Sequence, residues 1–280
     1  MSPLRLLLLT TLAMLAFAAN SLLCREALAS GHIGPASFTL VRVVSGAVVL
    51  ALLVFGRSGR FRPGGSWLSA AALFGYAAAF SLAYVSLNAA TGALLLFAAV
   101  QATMIVYGLW SGELLRLRQV VGVLLAAGGL VWLMLPGVSS PPLIGALLMA
   151  GAGVCWGVYS LLGRGARAPL VETTGNFLRA VPFALLLFLL IGRSEAVSVH
   201  GLVYAMASGA VASGLGYALW YAALPALSAT TAATVQLSVP VIAALGGVLL
   251  LGESISLRLG LASIAVLGGI ALFIARRRAV

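Results

Sequence analysis

Aromatic rings and side-chain amides are the residues of this 280-residue chain best equipped to hold a small molecule, and their spacing sets them on helical stripes. Tyr76, Phe80 and Tyr84 recur at i, i+4 and i+8, which puts three rings on one helix face. Tyr217, Trp220 and Tyr221 form a matching group. Phe17 shares a face with Asn20, Trp156 with Tyr159, and Phe97 with Gln101 and Met104. Asn20, Gln101, Asn176 and Gln236 are amides set in apolar runs. A polar amide surrounded by hydrocarbon must find a partner, so these four are expected to face inward. Together the rings and amides describe an apolar cavity with sparse hydrogen-bonding groups, the make-up of a small-molecule site. Such walls suit neutral or aromatic amino acids. They suit phosphorylated sugars badly, because those would need several buried cations. For any single ring the competing reading is helix packing, lipid contact or a belt at the headgroups.

Charge is scarce inside the apolar runs. Only Arg42 and Arg179 lie there, six to eight residues in from a helix start. In one reading, one of them attracts a substrate carboxylate; in the other, both bond to helix-end carbonyls, which their matched placement favours. Glu113 and Glu253 fall at span ends, each five residues before an arginine (Arg118, Arg258), and read as interfacial helix-end devices. Glu26, Glu172 and Glu195 sit in connections, as do His32 and His200. With no carboxylate or histidine expected near the midplane, facilitated diffusion or exchange is favoured over proton-driven pumping.

Several chemistries are disfavoured outright. All 16 basic residues are Arg, the five acids are all Glu, and there is neither Lys nor Asp. Without lysine there is no Walker A loop, and Cys24 and Cys155 show no metal spacing or disulfide framework, so no cofactor is expected. A nucleophile with a base is equally missing, which argues against an intramembrane enzyme. The net charge of +11 could suggest nucleic acid, but the arginines flank apolar runs as membrane anchors do, so the partners expected are lipid and a small solute.

The elements that must position these residues are ten membrane spans. The chain is 62% apolar and 8% charged, and a span needs about 20 apolar residues. The runs fall near 4–24, 36–56, 67–87, 91–111, 118–136, 142–162, 172–192, 200–222, 228–250 and 258–275. Short connections make the third and fourth spans, and the eighth and ninth, tight helical hairpins, with Thr91 and Ser228 as expected caps. The first run imitates a secretory signal ending at Ala16-Phe17-Ala18, yet it has a counterpart in the second half, which favours a retained span. With the N-terminus inside, eleven arginines face the cytoplasm and three face out, so both termini are predicted cytoplasmic in a bacterial inner membrane.

The chain also repeats itself. Ser21-Leu22-Leu23-Cys24-Arg25 recurs as Ser160-Leu161-Leu162-Gly163-Arg164, Phe38 to Arg42 resembles Asn176-Phe177-Leu178-Arg179, and Gly112-Glu113 with Leu117-Arg118 recurs as Gly252-Glu253 with Leu257-Arg258. Five spans per copy is an odd number, so residues 1–140 and 141–280 must lie in opposite orientations. Inverted repeats are a recurring plan of secondary transporters that work by alternating access.

Tyr221, Ala226, Gln236, Pro240 and Leu249-Leu250-Leu251-Gly252-Glu253-Ser254-Ile255-Ser256 resemble the EamA repeat of the drug/metabolite transporter superfamily. The first copy is looser, with Ser111 before Gly112-Glu113 and Val100-Gln101 where the family often has proline. Within the superfamily the chain is most similar to YddG-type bacterial amino-acid exporters. That resemblance implies an all-α membrane protein, ten helices in a basket as two inverted five-helix repeats around a central cavity, exporting aromatic and other neutral amino acids. An exporter of another solute, such as a drug, a purine or an organic cation, is the alternative within the same family.

Overall fold

Hydrocarbon leaves no water to satisfy a backbone N–H or C=O, so long apolar runs must coil into helices. The computed structural model describes residues 1–58, 64–112, 114–137, 140–164, 166–227 and 229–274, and among them ten helices are long and apolar enough to cross a membrane. The first half supplies α1 (Pro3–Ala29), α2 (Pro35–Ser58), α3 (Trp67–Tyr84), α4 (Ala89–Trp110) and α5 (Leu117–Met134). In the second half come α6 (Leu143–Leu162) and α7 (Pro169–Leu187), the latter extended by a π-helical turn Phe188–Gly192. The eighth span, Val199–Ala226, joins α8 (Val199–Met206), a π-helical segment Ala207–Leu215, α9 (Gly216–Ala223) and a 3-10 turn. The ninth is built from α10 (Ala229–Gln236) and α11 (Ser238–Leu251), and the tenth is α12 (Leu257–Ile274).

Local chemistry sets the ends. Ser2, Ser66 and Ser198 cap α1, α3 and α8 through their hydroxyls. For α4 the cap is Asn88, whose side chain accepts from the Thr91 amide at 2.9 Å, in place of the expected Thr91. Ser228, expected to cap the ninth span, lies outside the described residues. The matched glycines of the two repeats, Gly112 (φ +86°) and Gly252 (φ +65°), turn left-handed and stop α4 and α11, a conformation that a Cβ would strain.

Helix packing shows the inversion directly. The Arg25 end of α1 lies against the last turn of α3, while Gly145 at the start of α6 lies against Ser86 and Leu87 just beyond that same turn. So α1 finishes where α6 begins. The contacts obey a two-fold exchange of the halves: α1 packs on the eighth and ninth spans as α6 packs on α3 and α4. Likewise α2 meets the eighth span as α7 meets α3, and α2–α7, α5–α12 and α4–α11 pair across the axis.

The expected tight hairpins are therefore splayed. A short turn joins α3 to α4, but α6 fits between them, because its small residues admit two neighbours at once. A Cβ on Gly153 would come 2.5 Å from the Leu96 carbonyl oxygen, and one on Gly157 2.7 Å from the Thr103 Cβ. Gly122 and Gly269 bring α5 and α12 equally close, whereas Gly112, Gly128 and Gly268 meet open space. Burial runs inside-out relative to a soluble protein: Ala13, Ala18, Ala152, Ala180 and Ala243 fill the interior, while Leu7, Leu52, Leu249 and Ile264 are exposed on the outer wall.

Candidate functional site

A cavity of about 480 Å³ lies between the halves, lined by residues of α1, α3, α4, α6, α7 and the eighth and ninth spans. Thirteen of the fourteen predicted cavity residues are on its wall: Phe17, Asn20, Tyr76, Phe80, Phe97, Gln101, Trp156, Tyr159, Asn176, Tyr217, Trp220, Tyr221 and Gln236. The fourteenth, Tyr84, shares the stripe with Tyr76 and Phe80 but not the cavity. It is fully buried one turn beyond Phe80, and its hydroxyl points to the Ala89 carbonyl.

The rings are organised about Trp156. It stacks on Tyr217 (centroids 5.4 Å, 18° between planes) and on Tyr159 (5.4 Å), and it packs against Tyr76 at 4.9 Å. Phe17 adds tilted and edge contacts to Tyr217 and Trp220. These offset and edge arrangements are the favourable ones for aromatic quadrupoles.

Polar groups sit in two clusters, one about Asn20 and Tyr76 and the other about Tyr159 and Asn176, each drawing a partner from the opposite half. In the first, Ser208 donates to Asn20 Oδ1 (2.6 Å), and Asn20 Nδ2 donates to the Tyr76 hydroxyl (3.1 Å). Arg42 Nη2 donates to the same hydroxyl (2.8 Å). In the second, the Tyr159 hydroxyl donates to Thr173 (3.3 Å), which donates to the Tyr221 hydroxyl (3.2 Å). Asn176 Nδ2 reaches Tyr159 (3.4 Å), and its Oδ1 accepts from the Ser66 amide (2.9 Å).

The two matched arginines do different work. Arg179 donates to the Gly64 carbonyl and to that of Gly175 (3.1 Å), bracing the entry to α3. Arg42 is 2% exposed, with its guanidinium 5.0 Å and 4.9 Å over the Tyr76 and Phe80 rings, and its Nη1 has no hydrogen-bond partner.

The cavity is closed at one end and open at the other. At the closed end Arg25 Nε meets Glu253 Oε1 at 2.9 Å, Arg25 Nη1 donates to the Tyr84 carbonyl (3.1 Å), and Glu253 Oε2 accepts from the Ala89 amide (2.8 Å). One ion pair thus clasps α1, α3, α4 and α11. The sequence reading made Glu253 a helix-end device with Arg258, five residues on, close by. Instead Arg258 donates to the Trp132 and Leu135 carbonyls, because the helix stop at Gly252 sends the two side chains apart. Glu113 lies outside the described residues. At the open end Arg164, Glu172 and Leu224 line the mouth.

The EamA-like transporter family model matches this chain twice, over residues 4–135 and 143–275, one match to each group of five spans. The chain belongs to the EamA-like transporter family. It is 58% identical to the Uncharacterized protein PA1977 of Pseudomonas aeruginosa, over 98% of this chain and 96% of that one. The threonine/homoserine exporter RhtA of Salmonella typhimurium is 34% identical over 146 residues, 49% of this chain and 48% of RhtA. A protein of known crystal structure superposes with a TM-score of 0.69 at 21% identity, covering 99% of this chain and 100% of the other, which shows a shared fold. This EamA-like chain is thus a multi-pass membrane transporter of a small solute.

Several cavity residues of this EamA-like transporter are not legible as such in its sequence. Ser69, Thr173 and Ser213 line the wall, and Ser208 anchors Asn20 from behind. Hydroxyls are common in membrane helices and carry no spacing signal of their own. The π-helical segment Ala207–Leu215 adds to the difficulty, since its residues leave the 3.6-residue rhythm by which stripes are read. That segment brings Gly209 against the Arg42 carbonyl, where a Cβ would collide.

Proposed function

We propose that this EamA-like transporter exports small neutral metabolites, above all aromatic and other neutral amino acids, across the bacterial inner membrane by alternating access. The single observation carrying the reading is a ring-walled cavity, open at one end and clasped at the other by Arg25–Glu253. Its volume falls within the range of about 300–1,000 Å³ usual for small-molecule sites. The excess of arginine at the ends where α1 begins and α6 finishes supports an N-terminus in the cytoplasm, so the mouth at Arg164 and Glu172 opens inward, where cargo for export is loaded. Inverted halves supply the outward-open state by exchanging conformations.

Phe17, Trp156, Tyr217 and Trp220 offer flat apolar faces to a side chain, while Gln101, Asn176 and Gln236 offer amides to its polar atoms. A relative named as a threonine/homoserine exporter is in keeping with an amino-acid cargo. Among the described residues no carboxylate or histidine sits mid-cavity, which supports uniport or exchange in place of proton coupling.

The test is flux from proteoliposomes loaded with labelled phenylalanine, methionine, threonine, a purine or an organic cation, with and without a pH gradient. Release or exchange of amino acids, insensitive to the gradient, is the expected result. Movement of the purine or cation with no amino acid moving would replace the substrate assignment.

A further inference from the structure

The Tyr76 hydroxyl carries one proton and two lone pairs. Both lone pairs are engaged, by Arg42 Nη2 at 2.8 Å and Asn20 Nδ2 at 3.1 Å. Among the described residues no acceptor takes its proton, and Tyr76 lines the cavity. A hydroxyl that accepts from two donors, one of them cationic, becomes a stronger donor itself, since each bond polarises the next. Ser208 Oγ holds the Asn20 side chain from behind, at 2.6 Å from its Oδ1.

Arg42 is the second, independent sign. It is almost wholly buried, its Nη1 has no partner, and the one ion pair among the described residues is Arg25–Glu253, elsewhere in the molecule. The faces of Tyr76 and Phe80 offset part of its charge. A buried cation without a counter-ion is costly unless an anion completes it. Arg42 is not on the wall, so a cavity ligand senses it through the Tyr76 hydroxyl.

Resting on the amino-acid reading above, we propose that Tyr76 is the carboxylate anchor of this cavity: its O–H donates to the substrate carboxylate, and Arg42 is the positioning residue whose charge makes that bond strong. The matched half has no equal. There Arg179 is engaged by backbone carbonyls, and among the described residues no arginine donates a hydrogen bond to the Tyr217 hydroxyl, so the anchor is one-sided. The cargo class that fits is a monocarboxylate whose remaining surface is apolar or aromatic. A free α-amino acid lays its side chain on the Trp156–Tyr217 stack, whereas its amide offers Tyr76 only a neutral carbonyl and its decarboxylated amine offers no acceptor there.

The test compares L-phenylalanine with L-phenylalaninamide and phenylethylamine, as thermal stabilisation of the purified chain and as flux from proteoliposomes. A hydrogen bond to a charged group corresponds to about a ten-fold to hundred-fold change in affinity. Wild type should favour phenylalanine over its amide by at least about ten-fold. Tyr76→Phe keeps the ring stack and should bring that ratio down to near one, because phenylalanine loses a bond to a charged group while the amide loses only a weaker neutral one. Arg42→Gln should lower the ratio and Arg42→Lys should keep most of it, a distinction that a merely structural arginine would not make. A wild-type ratio near one, or an unchanged ratio in folded Tyr76→Phe, overturns the anchor while leaving amino-acid export standing. Binding and flux of neither compound, beside flux of another solute, overturns both.

Discussion

Replacing Glu253 with Gln removes one charge from the clasp at the closed end of the cavity, and the consequence is a population shift. Gln keeps an acceptor for the Ala89 amide but loses the ionic bond to Arg25. The Arg25 and Glu253 side chains are 21% and 14% exposed, which places the pair between two regimes. Exposed pairs contribute about 0–1 kcal/mol, and loss of one partner from a fully buried pair costs about 3–5 kcal/mol. A value near 1.5 kcal/mol follows, equivalent to about a ten-fold change in the equilibrium between the two cavity states. The clasp ties α1, α3, α4 and α11 only while this end is shut, so its loss favours opening here. The reporter is a single cysteine at Ser21, a buried residue on the cavity wall, with Cys24 and Cys155 changed to Ser. A membrane-impermeant maleimide added outside intact spheroplasts should label Ser21→Cys about ten times faster when Glu253→Gln is present. Equal labelling rates in two well-folded proteins would refute both the clasp and the orientation assigned to it.

Trp156→Ala removes ring contacts to Tyr76, Tyr159 and Tyr217, each worth about 0.5–1.5 kcal/mol. Competition assays should show the preference for phenylalanine over threonine falling about ten-fold, and Tm should fall with the lost ring contacts. Gly153→Leu drives a side chain into the Leu96 carbonyl and the Ala99 methyl, a clash at or above the upper end of the about 1–3 kcal/mol seen for overpacking. It should abolish the monodisperse protein, whereas Gly128→Ala, facing open space, should shift Tm by little. Arg179→Ala loses the Gly64 carbonyl at the entry to α3 and the Gly175 carbonyl on its own helix and should lower Tm, yet leave the ratio of phenylalanine to threonine uptake where it was. A changed ratio would give Arg179 a part in substrate choice.

Much of this architecture is legible in the residues alone, because the membrane narrows the choices. Ten apolar runs can only be helices, and an odd number of spans per repeat requires the two copies to be inverted. Stripe spacing, with the amides Asn176 and Gln236 added as groups that need a partner, led to thirteen wall residues, since side chains at i and i+4 on a straight helix must share a face. Tyr84 breaks the pattern by depth, not by face. Spacing reports azimuth around a helix and says nothing of where along it a cavity ends. Arg42 and Arg179 occupy matched places in sequence, but the loop before α3 supplies carbonyls to one and the Tyr76 hydroxyl meets the other. Glu253 finds a partner 228 residues away, a pairing set by the meeting of α1 with α11 and carried by no local spacing. The splaying of α3 and α4 is hidden likewise, since the connection reports its length while the wedge comes from the other half.

The insertion of α6 between α3 and α4, and of α1 between the eighth and ninth spans, also bears on how the molecule is made. A nascent chain that has released its first five spans into the bilayer still has an empty slot, walled by Leu96 and Ala99, that only a later helix can fill. Lipid must occupy that slot until residues 143–162 have been synthesised and have displaced it. Maturation therefore waits on translation of the second half, and neither half made alone can reach its final packing.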